Sequence, residues 1–105
     1  GSYDCYNPKT HERIQIKATT IRYDLTSFGP DSVWDVLYLL DFYRDGKFDG
    51  KYDVYKIPND LIYNHQISKT QTFRDQQKQG RRPRFGIKQK IIEKHNIKPI
   101  KTCKI

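Results

Sequence analysis

Tyr3-Asp4-Cys5-Tyr6-Asn7-Pro8-Lys9-Thr10-His11-Glu12-Arg13-Ile14-Gln15-Ile16-Lys17-Ala18-Thr19 is the stretch whose reading decides the fold. From His11 to Thr19 polar and apolar residues alternate, the period-two signature of a half-buried strand. Asn7-Pro8-Lys9-Thr10 reads as a turn, so Tyr3 to Tyr6 is expected to run back antiparallel and close a hairpin over residues 3–19. Alternation puts Ile14, Ile16 and Ala18 on one face, the expected core face, and Arg13, Gln15 and Lys17 on the other. Asp4 then falls near the far end of the hairpin.

Beyond a polar stretch containing Phe28-Gly29-Pro30-Asp31-Ser32, the run from Val33 to Tyr43 is the most apolar in the chain and carries its one tryptophan, Trp34. It is the expected core. Asp31 or Ser32 suits the cap of a short helix, while Val36 to Tyr43 reads equally as a buried strand. Arg44-Asp45-Gly46-Lys47-Phe48-Asp49-Gly50 is turn-rich and Tyr52 to Ile57 alternates again before Pro58, so residues 36–57 read as a second hairpin. Asn59-Asp60 is suited to capping a short helix through Tyr63. Thr70 to Gln79 is strongly polar, with Gly80 as its terminator. Ile87, Ile91 and Ile92 recur at helical spacing, predicting an amphipathic helix over roughly 86–95, and Lys98 to Ile105 reads as a last edge strand. The expected class is α/β (α+β), a mixed central sheet flanked by helices.

A chain of 105 residues suits one domain. Only 35% of it is hydrophobic, but 13% is aromatic, and chains that cannot form a core usually lack aromatics. No apolar stretch approaches the ~18–20 residues that span a bilayer, and Gly1 to Cys5 has no basic-then-apolar signal pattern, so a soluble, cytoplasmic protein is expected. Cys5 and Cys103 stand at opposite ends; a disulfide between them is one reading, and reduced, packed thiols the favoured one. His11, His65 and His95 are scattered, which argues against zinc. The net charge of +8 divides unevenly: residues 1–60 hold 8 Lys+Arg against 10 Asp+Glu, a net of −2, while residues 61–105 hold 12 against 2, a net of +10. The basic half has the footprint of a phosphate-neutralising surface, and the acidic half is suited to a divalent metal.

Asp4, ten residues, then Gln15-Ile16-Lys17 is the constellation with chemical potential. On a twisted hairpin these groups converge: Asp4 would ligate magnesium, with the Gln15 side-chain oxygen and the main-chain carbonyl of Ile16 as further ligands. Lys17 would orient or activate a water and neutralise charge on a phosphate. That is a phosphodiester-hydrolysis site, although such spacing also arises by chance on a solvated hairpin face. The second constellation is Gln79-Gly80-Arg81-Arg82-Pro83-Arg84-Phe85-Gly86. Three guanidiniums on a loop offer planar forks for guanine edges or phosphates. Arg74, Gln76 and Gln77 in the segment before it extend the candidate DNA-binding set to Arg74, Gln76, Gln77, Arg81, Arg82 and Arg84, by base reading or by phosphate contact alone.

Together with Asp24-Leu25-Thr26-Ser27-Phe28-Gly29-Pro30, Ser32-Val33-Trp34-Asp35, Phe42-Tyr43, Asp53-Val54-Tyr55-Lys56-Ile57-Pro58 and Gln71-Thr72-Phe73-Arg74-Asp75-Gln76-Gln77, these blocks resemble a type II restriction endonuclease of the PD-(D/E)XK superfamily. Their order is similar to a small Bsp-type family whose members cut the interrupted palindrome GC-N-GC. The resemblance implies a restriction-endonuclease-like core and magnesium-dependent hydrolysis of DNA that leaves a 5′-phosphate. It also implies Asp4 and Lys17 as the motif's aspartate and lysine, a homodimer on a palindromic site, and a cognate DNA methyltransferase in the same restriction-modification system. Gln15 stands where most members have Glu or Asp, and Tyr3 replaces the motif's Pro. Since the superfamily core starts with a helix and strand ahead of the aspartate, residues 1–105 are expected to be a single nuclease domain truncated at its N-terminus. Two other readings remain: a non-catalytic nucleic-acid-binding module, and a repair or junction-resolving nuclease of the same superfamily.

Overall fold

A computed structural model describes residues 2–44 and 46–105; Gly1 and Asp45, the latter in the turn-rich stretch of the second hairpin, lie outside the described residues. In chain order the strands are β1 (Cys5–Asn7), β2 (Glu12–Thr19), β3 (Thr26–Ser27), β4 (Val36–Asp41), β5 (Lys51–Ile57), β6 (Arg84–Phe85) and β7 (Lys101–Lys104). Five form one mixed sheet in the order β1-β2-β4-β5-β7, and β3 pairs with β6 in a separate two-stranded ribbon. Both hairpins form as the alternation predicts: β1 runs antiparallel to β2 and β4 to β5. The edge strand expected near the C-terminus is β7, antiparallel to β5. Between the hairpins the sheet is parallel, with Ile14 opposite Val36 through to Thr19 opposite Asp41. A parallel pair needs a crossover, and residues 20–35 supply it.

The helices lie in the second half: α1 (Asn59–Tyr63), α2 (Phe73–Lys78) and a π-helical segment, Lys88–Glu93. A capping box starts α2, the Thr72 hydroxyl accepting from the Asp75 N–H and the Asp75 carboxylate from the Thr72 N–H. Gly80 follows it at φ +73°, a conformation glycine adopts without a Cβ penalty. Ile87, Ile91 and Ile92 are buried as their spacing predicts, but the turn that carries them is π-wound. Its first N–H groups, of Ile87 and Lys88, donate to the buried carboxylate of Asp24 at 2.9 and 2.8 Å. Asn59 does not cap α1 as expected. It lies inside the helix, where its side chain accepts from the Trp34 indole N–H at 2.8 Å and donates to the Asp35 carbonyl. A buried indole needs an acceptor, and that need outweighs the cap.

The core sits on one face of the sheet. Leu37, Leu39 and Ile57 project from the strands against Phe28, Trp34, Ile62, Phe73, Phe85, Ile87, Ile91 and Ile92. Across the β2–β4 register Gln15 neighbours Leu37, Lys17 neighbours Leu39 and Thr19 neighbours Asp41, so these residues share the covered face. This corrects the face assignment made from the alternation. Gln15 and Thr19 are buried, whereas Ile16 is 41% exposed on the opposite face. That face stays open, a shallow apolar groove lined by Ile16, Tyr38, Leu40, Tyr52, Val54 and Ile100. Cys5 and Cys103 are free thiols, one exposed and one half-buried, so the disulfide reading does not hold.

Phe73 is fully buried, its ring centroid 5.0 Å from Phe28, 5.8 Å from Tyr63, 6.1 Å from Trp34 and 6.2 Å from Phe85. Phe73→Ala is expected to lower the unfolding free energy by about 3–5 kcal/mol in a urea titration, the usual cost of emptying a buried aromatic site.

Candidate active site

The first hairpin positions its polar groups through backbone geometry. Asp4 N–H donates to the Ile14 carbonyl at 3.0 Å, and the Asp4 carboxylate accepts from the Ile16 N–H at 2.7 Å. Extending the register Cys5↔Ile14 by one residue puts Asp4 opposite Gln15. The N–H and C=O of one strand residue point to the same side, so the Ile16 carbonyl faces the edge where Asp4 lies, just past the end of β1. Gln15 is buried, and its Oε1 has no hydrogen-bond partner among the described residues.

Lys17 is half-buried on the same face as Gln15, with Nζ 4.8 Å from the centroid of the Phe28 ring. Its pKa is lowered from the usual lysine value, chiefly by burial; the charge of Asp4 works in the opposite direction and that of Arg82 in the same one. Lys17 therefore senses both the hairpin carboxylate and the arginine loop. Three bonds fasten that loop and α2 to the crossover: the Phe28 N–H donates to the Pro83 carbonyl, and the Gln77 amide to the carbonyls of Gly29 and Ser32. Arg82 lies so close to Gly29 that a Cβ there would stand 3.2 Å from the guanidinium.

Asp4, Gln15, Ile16, Lys17 and Arg82 are thus brought to one region. The remaining candidates for DNA contact divide. Arg81 and Arg84 are exposed, Arg81 donating to Gln71 Oε1 at 2.6 Å and Arg84 standing opposite Ser27 in the β3–β6 ribbon. Arg74 lies over the Tyr63 ring at 4.0 Å. Gln76 is buried against Gln71, and the Gln77 amide is committed to the two crossover carbonyls. Both amides therefore have partners within the fold. The assignment from sequence missed Phe28 and Asp24, whose main partners, Pro83 for one and Ile87 and Lys88 for the other, are remote along the chain and leave no local pattern.

The donor set is all oxygen. Among the described residues no group of three or more His, Cys, Asp or Glu side chains converges, and the candidate donors are the Asp4 carboxylate, one amide oxygen and one main-chain carbonyl. That set suits a hard cation which keeps most of its water, as magnesium does. The unpartnered Gln15 Oε1 is the observation that fits a ligand, since a buried carbonyl oxygen without a partner is costly.

The Bsp6I restriction endonuclease family model matches residues 1–94. The chain belongs to this family. The type II restriction enzyme Bsp6I of Bacillus sp. (strain RFL6) is 42% identical over 100 residues, covering 92% of this chain and 56% of the relative, so the chain spans about half the length of the curated relative it matches. No solved structure matches it. The mixed five-stranded sheet with its helices agrees with the restriction-endonuclease-like α/β core expected for the family. No helix of the described residues is long and apolar enough to cross a membrane.

Opposing influences on Lys17 make a two-sided prediction. By NMR of side-chain-labelled lysine, Lys17 should titrate below the usual lysine value, move lower in Asp4→Asn and move back up in Arg82→Gln. Titration at the ordinary lysine value in all three chains would contradict the geometry.

Proposed function

We propose that this chain carries the catalytic centre of a type II restriction endonuclease that hydrolyses DNA phosphodiester bonds with magnesium, in a restriction-modification system. The observation that carries this reading is the buried, unpartnered Gln15 Oε1, set opposite Asp4 and beside a lysine whose proton is loosened by burial.

Asp4, Gln15 and the Ile16 carbonyl would hold magnesium, which when bound supplies positive charge to the scissile phosphate and acidifies water. Lys17 orients the attacking water and, with its lowered pKa, gives up or takes a proton more readily than a solvated lysine. As water adds to phosphorus, the bond to the 3′ oxygen breaks and a 5′-phosphate remains. Arg82 and Lys17 stabilise the charge that builds on the phosphate in transit. Arg81 and Arg84 lie outward on the neighbouring loop and ribbon, placed for base edges or backbone phosphates. Arg74, held over Tyr63, is suited to a phosphate contact. The PD-(D/E)XK assignment maps Asp4 and Lys17 onto the motif, with Gln15 in the second acidic position. Recognition of a GC-rich interrupted palindrome would make the working unit a two-fold homodimer. A methyltransferase of matching specificity would protect host DNA, with no direct contact implied.

The one carboxylate among the candidate donors favours one other reading, a DNA-binding module without cleavage, because Gln brings no charge to a metal. Plasmid cleavage in magnesium separates the two. Wild type should yield discrete bands, whereas Asp4→Asn and Lys17→Ala, with unchanged circular dichroism, should cut about 10²–10³-fold more slowly. Binding without cutting by wild type would sink the nuclease reading, and nicking confined to branched DNA would move it to a junction-resolving enzyme.

A further inference from the structure

One cavity lies away from Asp4 and Lys17. It has a volume of about 670 Å³ and opens between α1 and the π-helical segment. From α1 and the chain just after it come Asp60, Asn64, His65 and Gln66, and from the π-helical turn and its C-terminal end come Lys90, Lys94 and His95. Asp60 is the one carboxylate among the described lining residues. Phe85 forms part of the wall, and the His65 ring stacks on it with centroids 4.4 Å apart and planes 25° from parallel. The imidazole is thereby held flat against the core with an edge available to the cavity.

The field inside is positive. His65 is pushed below the ordinary histidine range, first by burial and then by the charges of Lys94 and Lys90. The charged and titratable groups around it are Asp60 from α1, and Lys90, Lys94 and His95 from the π-helical turn and its end, while β6 presents the uncharged Phe85. Two ammonium groups and two imidazoles around one concavity, with the Asn64 and Gln66 amides on the rim, supply donors and positive charge together. A phosphate group takes that combination. Phe85 on its wall belongs to β6, the strand that also carries Arg84.

We propose that this cavity is a phosphate-binding site, seating a backbone phosphate of DNA beyond the stretch met by the arginine loop. The phosphate lies over the His65 edge, between Lys90 and Lys94, and His95 closes the side nearest solvent. Only the source of the phosphate rests on the DNA-cleavage reading; the site itself stands on the cavity and its charges. Occupancy adds an anion beside His65 that offsets part of the positive charge of Lys90 and Lys94, so the imidazole gains proton affinity when the site fills.

The test follows the His65 ring protons by NMR in the full chain, with His11 on the first hairpin as an internal reference. Inorganic phosphate, and separately a short DNA duplex without magnesium, should each raise the His65 midpoint by about one pH unit, the effect of an opposite charge within ~4–6 Å, and leave His11 in place. The double substitution Lys90→Gln with Lys94→Gln should abolish that rise. It should also weaken duplex binding about tenfold at low salt and reduce the salt slope by about 2. A response to phosphate but not to the duplex would keep the site and assign it to a free phosphate or phosphate end. No response to either, with the double variant binding DNA as wild type does, would overturn the proposal. Assaying cleavage by wild type in magnesium alongside the titration keeps the two readings apart: a wild-type chain that fails to cut DNA yet shows the His65 rise contradicts the cleavage proposal and supports this one.

Discussion

The parallel pairing of β2 with β4 is the constraint on which the rest depends. It is clamped at one end by Arg13 and Asp35, where the Asp35 carboxylate accepts from the Arg13 main-chain N–H and from its guanidinium, and the Arg13 carbonyl accepts from the Asp35 N–H. The guanidinium holds the Asp35 carboxyl at about 2, below the usual carboxylate range. At the other end the Phe42 N–H donates to the Thr19 carbonyl. With the register set, Gln15 must stand beside Leu37 and Lys17 beside Leu39, on the face that the helices cover. Shifting the register by one residue would send both to the open face.

The crossover that parallel pairing demands is itself put to use. Residues 20–35 bring Asp24 to the first turn of the π-helical segment, Phe28 under the Lys17 ammonium, and Gly29 against Arg82. One loop therefore couples the hairpin that carries the candidate metal ligands to the basic half. The arginine loop of the basic half is folded back toward the first hairpin, which lies in the acidic half of the sequence. An orphaned amide oxygen in this setting costs about 1–3 kcal/mol, and the aromatic cluster of Phe28, Trp34, Phe73 and Phe85 supplies the burial that lets the fold carry it.

Much of this order was legible in the sequence. Alternation identified both hairpins, the spacing of Ile87, Ile91 and Ile92 marked the buried side of the last helical turn, and Gly80 marked the end of α2. The inward face of β2 was not legible, because alternation defines two faces without saying which is covered, and the usual rule that apolar residues turn inward fails where polar groups are needed against the core. Asn59 shows the same limit: its value as a cap is local, but the demand of the Trp34 indole comes from 25 residues away. Nor does composition distinguish Gln76 and Gln77, consumed within the fold, from Arg81 and Arg84, which remain outward. Spacing and family resemblance single out Asp4, Gln15 and Lys17 as candidates, whereas the electrostatic link of Lys17 to Arg82 is visible only in the tertiary structure.

On the proposed reading Gln15 Oε1 and Asp4 face a common cation. The most direct measurement is a magnesium titration followed through the side-chain amide protons of Gln15 by NMR, in wild type and in Asp4→Asn. Saturable shifts of the Gln15 amide are expected in wild type, and they should vanish in Asp4→Asn while the remaining spectrum is preserved. A Gln15 amide indifferent to magnesium in wild type would contradict that reading.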